Sequence, residues 1–279
     1  MNYLKRIYIK YDKDGIWRVT SILLKKLGIK TTYSSFIHKK KFNLYKKISK
    51  ITKHKVFNGC YKSLVLSKNY NWNKDDIDLS PKLLGCYEEQ VQEKIIELKN
   101  KKNLKYLVVF GASEGFHALG LMKNKFFSKA YIFEKDDKTR NILIKNSKIN
   151  KIKKIKIFSD ANFACIANFL NKKEQKKTLF LIDIEGEEFN ILNKKNLLFY
   201  KYSHLIIENH QDFIQNLKLK NIFFKLIYKN FNVNYLNNGN QNPHKFKDLD
   251  FLNDDEKYLI MSENRPCSMN WLILSPKYY

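Results

Sequence analysis

Tyr106-Leu-Val-Val-Phe-Gly111-Ala-Ser-Glu-Gly115-Phe116 decides the fold of this chain. Five apolar or aromatic residues in succession, 106–110, read as a strand buried on both faces. They stop at Gly111, and Gly115 then opens a stretch with helical patterning from about 115 to 123. Strand, glycine turn and helix make the first half of a βαβ unit. The same rhythm continues downstream. Strands are expected at 130–134 (AYIFE), 155–158 (IKIF), 178–184 (TLFLIDI), 203–208 (SHLIIE), 231–236 and 271–275 (WLILS). Helices are expected between them at 136–150, 163–170, from 187 to 192 and over 212–228. Alternation of this kind predicts an α/β fold: a doubly wound, mostly parallel seven-stranded sheet with right-handed crossovers.

Residues before about 100 lack that rhythm. Segments 56–60 and 61–67, around Asn58-Gly59, resemble a β-hairpin, and 88–99 (EEQVQEKIIELK) reads as a helix leading into the first core strand. The chain therefore divides into an N-terminal extension, 1–99, and a sheet domain, 100–279.

Composition bounds the function. Among 279 residues, Lys+Arg number 53 against 27 Asp+Glu, a formal charge of +26. Hydrophobic residues make up 44% and aromatics 14%, which excludes disorder for the chain as a whole. The charge invites a nucleic-acid or anionic-membrane reading. Arginine, whose fork reads phosphates and bases, occurs only at Arg6, Arg18, Arg140 and Arg265. The lysines are scattered among abundant Asn and Ile, so a nucleic-acid partner is possible but not favoured. Cys60, Cys86, Cys165 and Cys267 form no CxxC pair and no Cys/His cluster at ligand spacing, so no metal is expected. They suit a reducing compartment, and a cytoplasmic location is expected. No apolar run has the length of a signal peptide or a membrane span.

The chemistry-bearing residues fall where the expected strands end. The Gly111–Gly115 turn lets backbone approach a ligand at a helix N-terminus; without a ligand it is a tight strand-to-helix turn. The three-glycine dinucleotide fingerprint is not met. Glu134 closes the second strand, about 20 residues on, where a carboxylate can accept both hydroxyls of an adenosine ribose. Asp160, with Ala161 after it, follows the third strand; it suits an adenine amino group or an N-cap equally well. Asp183-Ile-Glu185-Gly186-Glu187-Glu188 ends the fourth strand, and like charges so close repel unless they are used. Glu187 and Glu188 also suit the positive start of the next helix. Glu208-Asn209-His210 ends the fifth strand, which makes His210 a candidate general base beside Asp183.

In this order and spacing, LVVFGASEGFHALGL, YIFEKD, FSDA, LFLIDIEGEEFNIL and LIIENHQD resemble the FkbM-like S-adenosylmethionine-dependent methyltransferases. The segment Pro81-Lys-Leu-Leu-Gly85-Cys-Tyr87-Glu88 and the pair Arg265-Pro266 are similar to flanking elements of that family. The resemblance spans about 56–279 and implies a Rossmann-like methyltransferase sheet and S-adenosyl-L-methionine as cofactor. It further implies that Gly111, Ala112 and Gly115 line the methionine and ribose. Glu134 would take the ribose, Asp160 and Ala161 the adenine side, and Asp183 the sulfonium region. One departure stands at Val109, where such strands carry an acid, so the ammonium would fall to Glu88, Glu114 or Asp183. The family points to O-methylation of a small-molecule or glycan acceptor. Two other readings stay open: a nucleic-acid methyltransferase, and a non-catalytic basic module on a methyltransferase fold.

Overall fold

The computed structural model describes residues 32–67, 79–160, 163–211, 216–237, 239, 241–263, 265 and 269–277. All seven expected strands form: β1 (Tyr106–Phe110), β2 (Lys129–Phe133), β3 (Ile155–Phe158), β4 (Thr178–Ile182), β5 (His204–Glu208), β6 (Phe231–Asn237) and β7 (Asn270–Pro276). They make one sheet in the order β3-β2-β1-β4-β5-β7-β6. Pairs among β1 to β5 are parallel, and β7 runs antiparallel between β5 and β6. The strand order reverses between β1 and β4, and in open α/β sheets ligands bind in the crevice outside the strand carboxyl ends at such a point.

Alternate residues of each strand feed opposite cores. Leu107 and Val109 of β1, Leu179 and Leu181 of β4 and Ile206 of β5 share one apolar cluster with Val91 and Ile95 of the helix Glu89–Lys101. Val108, Phe110, Phe180, Ile182 and Ile207 enter the other, with Phe223 and Ile227 of the helix Leu217–Asn230. Both faces are covered, which is why these strands read as unbroken apolar runs.

Two expectations about local structure change. The hairpin over 56–67 is reduced to one antiparallel bridge, Lys55 to Val65, flanked by cross-arm bonds from Val56 N–H to Leu64 O, Ser63 N–H to Val56 O and Leu66 N–H to His54 O. Its remaining amides bond outside the segment: Phe57 N–H donates to Leu83 O, and Val65 and Ser67 N–H donate to the side chains of Asn150 and Asn146. Val56, Tyr61, Leu64 and Leu66 are all buried in the first cluster, so the segment packs as a strap on the sheet domain rather than alternating as a ribbon. The long helix before β6 begins at Leu217 because Asn216 caps it, its side chain accepting from Leu219 N–H. Residues 212–215, expected within that helix, lie outside the described residues.

Candidate functional site at the carboxyl ends of the strands

Because β1, β2, β4 and β5 run parallel, Phe110, Phe133, Ile182 and Glu208 end on one rim. Gly111 follows β1 with φ +76°, a left-handed conformation that glycine alone adopts freely. A Cβ there would lie 1.6 Å from the Asp183 carbonyl oxygen. The loop after β1 is thus pressed against the loop after β4 with no room for a side chain. Gly115, at φ +94°, occupies the N-cap of the helix Phe116–Lys123 and offers that helix no side-chain acceptor. No cap side chain therefore satisfies its first-turn amides.

Glu134 stands just past β2 and is 8% exposed. Ser113 N–H donates to its Oε2 (2.7 Å) and Asp136 N–H donates to its Oε1 (2.9 Å). One carboxylate therefore ties the β1 turn to the start of the next helix. Each oxygen accepts one bond and keeps a second lone pair, so a vicinal diol can still be received. Asp160 is exposed on the neighbouring loop, where the Ser159 hydroxyl donates to it (3.2 Å). Ala161 lies outside the described residues. Ala112 is buried behind the turn.

Two of the three candidates for an ammonium group turn out to be engaged elsewhere. Glu114 is 1% exposed and accepts from Lys82 Nζ at 2.7 Å. Burial alone would raise its pKa, but the Lys82 charge and hydrogen bond outweigh that and hold it below the usual range. Lys82 also sits 4.7 Å over the Tyr87 ring. The expectation that Glu114 serves the cofactor is corrected on this ground: its charge is consumed within the core. Glu88, 2% exposed, pairs with Arg265 and accepts from His117 Nε2 at 2.7 Å, and His117 Nδ1 meets the Tyr61 hydroxyl at 3.0 Å. Asp183 is different. Its side chain is 36% exposed, yet its Oδ1 is enclosed and has no hydrogen-bond partner.

Around Asp183 the acids crowd. Burial, then Glu208 and Glu88, push its pKa well above the ordinary aspartate value. Glu208 goes the other way, to about 2: burial opposes its charge, but hydrogen bonds from His210 and Asp183 and the charge of Arg265 prevail. His210 Nδ1 lies 2.9 Å from Glu188 Oε1, and Nε2 lies 3.3 Å from Glu208 Oε2. Burial would favour the neutral ring, but bonds to Glu188 and Glu208 lift His210 to about 11. Both ring nitrogens of His210 thus face carboxylates, Nδ1 that of Glu188 and Nε2 that of Glu208.

Sequence reasoning placed Glu134, Asp183 and His210 on one rim, and the structure brings Asp183 and His210 together at 3.8 Å. It did not single out Lys82 or His117, whose partners are far away along the chain. Arg265 entered only through the family resemblance, and here it joins Glu88, Glu208 and Glu263.

No family model matches the chain, and no curated protein sequence matches it. Solved structures do. An O-methyltransferase from Bacillus cereus in complex with SAH is similar over 66% of this chain and 81% of its own, at 13% identity and a TM-score of 0.44. The precorrin 8w decarboxylase of Methanobacterium thermoautotrophicum matches over 67% and 89%, at 12% identity and a TM-score of 0.42. An rRNA methylase from Streptococcus thermophilus matches over 66% and 94%, at 9% identity and a TM-score of 0.40.

Proposed function

We propose that this chain is an S-adenosylmethionine-dependent methyltransferase that acts on a hydroxyl of a sugar, glycan or other small acceptor. The observation that carries the proposal is the meeting, at the β1–β4 reversal, of three features. They are a side-chain-free turn at Gly111, a carboxylate with spare acceptor capacity at Glu134, and a half-open acid at Asp183. These residues fit the cofactor they would hold. The turn gives backbone access, Glu134 suits vicinal ribose hydroxyls, and Asp183 presents an unsatisfied oxygen toward a cationic group. Bound there, S-adenosylmethionine supplies an electrophilic methyl on a sulfonium.

The chain's own contribution is positioning, and held reactants gain effective molarities of up to about 10^5–10^8 M in favourable cases. A hydroxyl acceptor also needs a base, and Asp183 and His210, 3.8 Å apart on this rim, are the candidates for receiving its proton. His210 and Arg265 hold Glu208, and Glu208 holds Asp183.

A nucleic-acid acceptor is the second reading, and the charge alone favours it. The lysines of one basic cleft, Lys123, Lys125, Lys151, Lys153 and Lys154, line the opposite edge of the sheet, beside the amino ends of β2 and β3. Calorimetry with S-adenosylmethionine and with S-adenosylhomocysteine tests the cofactor directly. Transfer of labelled methyl to sugars and nucleotide sugars, with RNA as a parallel arm, tests the acceptor. Binding and sugar methylation are expected. Absence of cofactor binding overturns the proposal, and transfer to RNA alone replaces its acceptor.

A further inference from the structure

We propose that Asp183, Glu185 and His210 form a binding site for one divalent transition-metal ion, against the expectation from sequence that no metal is held. One ligand atom from each lies within 4.8 Å of the others. His210 Nε2 is 3.8 Å from Asp183 Oδ1 and 3.8 Å from Glu185 Oε2. Bonds of about 2.0–2.2 Å to nitrogen and oxygen leave cis ligands about 3 Å apart and trans ligands a little over 4 Å apart. The two spacings from His210 fall within that range. Glu185 is 75% exposed.

Three further features separate this group from an ordinary acidic patch. Asp183 Oδ1 is enclosed, lacks any hydrogen-bond partner and faces the imidazole. His210, 3% exposed, is oriented through Nδ1 by Glu188, itself 1% exposed, so Nε2 is aimed at the carboxylates. A metal-ligating imidazole is ordinarily held this way, its other nitrogen donating to a carboxylate that fixes ring and tautomer. Glu208 Oε2, 3.3 Å from Nε2, is a fourth oxygen at hand. One imidazole with two or three carboxylates suits Mn²⁺ or Zn²⁺; all-oxygen sites are the ones that suit Mg²⁺ or Ca²⁺.

The site stands on this geometry alone. Its use rests on the methyl-transfer proposal: an ion at Asp183 would bind the acceptor hydroxyl and lower its pKa, as bound ions do for water. Glu188 and Glu208 are positioning residues in this scheme.

Mn²⁺ titrated into the full chain without cofactor or acceptor, and followed by the free-ion paramagnetic resonance signal, tests it. One Mn²⁺ per chain is expected to leave the free signal. Glu185→Gln should weaken binding at least tenfold, and Glu188→Gln, acting through the His210 ring, by 10- to 100-fold. Asp183→Asn should do the same where it folds; exposed Glu185 decides the matter where it does not. Glu187→Gln, on the neighbouring helix start, should leave binding unchanged. A persistent free-Mn²⁺ signal overturns the site, as does equal loss in Glu187→Gln and Glu185→Gln, which would mark diffuse acidic binding. Cofactor calorimetry on the same protein keeps the two proposals apart. Cofactor binding with no metal sinks only the site, and metal binding with no cofactor sinks only the methyltransferase.

Discussion

Removing the Glu134 carboxylate separates its two jobs. In the folded chain it accepts Ser113 N–H at 2.7 Å and Asp136 N–H at 2.9 Å while 8% exposed. Glu134→Ala leaves both amides without that acceptor. Ser113 is half-buried and Asp136 exposed, so water can reach the freed amides, and losing the two hydrogen bonds at about 0.5–1.5 kcal/mol each should lower the unfolding free energy by about 1–3 kcal/mol. The same change deletes the acceptor proposed for the ribose diol. Charge-assisted hydrogen bonds contribute about 1.5–3 kcal/mol, which corresponds to about 10- to 150-fold in Kd. Urea unfolding measures the first effect, and calorimetry with S-adenosylhomocysteine on the folded variant measures the second. Glu134→Gln serves as a companion. Its amide oxygen can satisfy one N–H while its NH₂ opposes the other, so it should lose intermediate stability and most of the affinity. A folded Glu134 variant that binds with unchanged Kd would refute the ribose assignment and leave the residue as a brace between two loops.

Three other outcomes follow from named contacts. Gly111→Ala should destabilise the chain by at least about 4 kcal/mol or prevent folding, because φ is +76° and the new Cβ would meet the Asp183 carbonyl at 1.6 Å; a wild-type denaturation midpoint would contradict that packing. Lys82→Met should cost about 3–5 kcal/mol in urea unfolding by stranding the Glu114 charge, and Lys82→Met/Glu114→Leu should recover most of it. A single variant losing less than about 1 kcal/mol would mean that the pair is not a buried couple. His204 is fully buried beside the Ser275 hydroxyl, and burial, aided by Lys102, lowers its pKa to about 4. Between its ordinary value of 6.5 and about 4 the unfolded chain binds a proton that the folded chain refuses. Stability from this residue is therefore present above 6.5 and lost as pH falls through that window, by up to about 1.4 kcal/mol per unit. Comparing wild type with His204→Gln from pH 7 to pH 4 isolates the effect, and identical slopes would rule it out.

The sequence by itself determined the succession of strands and helices and, through it, the rim. An unbroken apolar run such as Tyr106–Phe110 or Thr178–Ile182 is a local pattern, and parallel strands joined by crossovers must end on the same edge. Glu134, Asp183 and His210 were legible as sharing one rim for that reason alone. What each side chain does there was decided by the tertiary structure. Glu114 sits inside the glycine turn in sequence, yet Lys82, 32 residues earlier, draws it into the core. Glu88 and Arg265, 177 residues apart, meet across the site. His210 reads as an ordinary histidine until Glu188 and Glu208 close on its two ring nitrogens. Charge interactions of this kind depend on distance and on the exclusion of water, and both arise only when remote segments pack together.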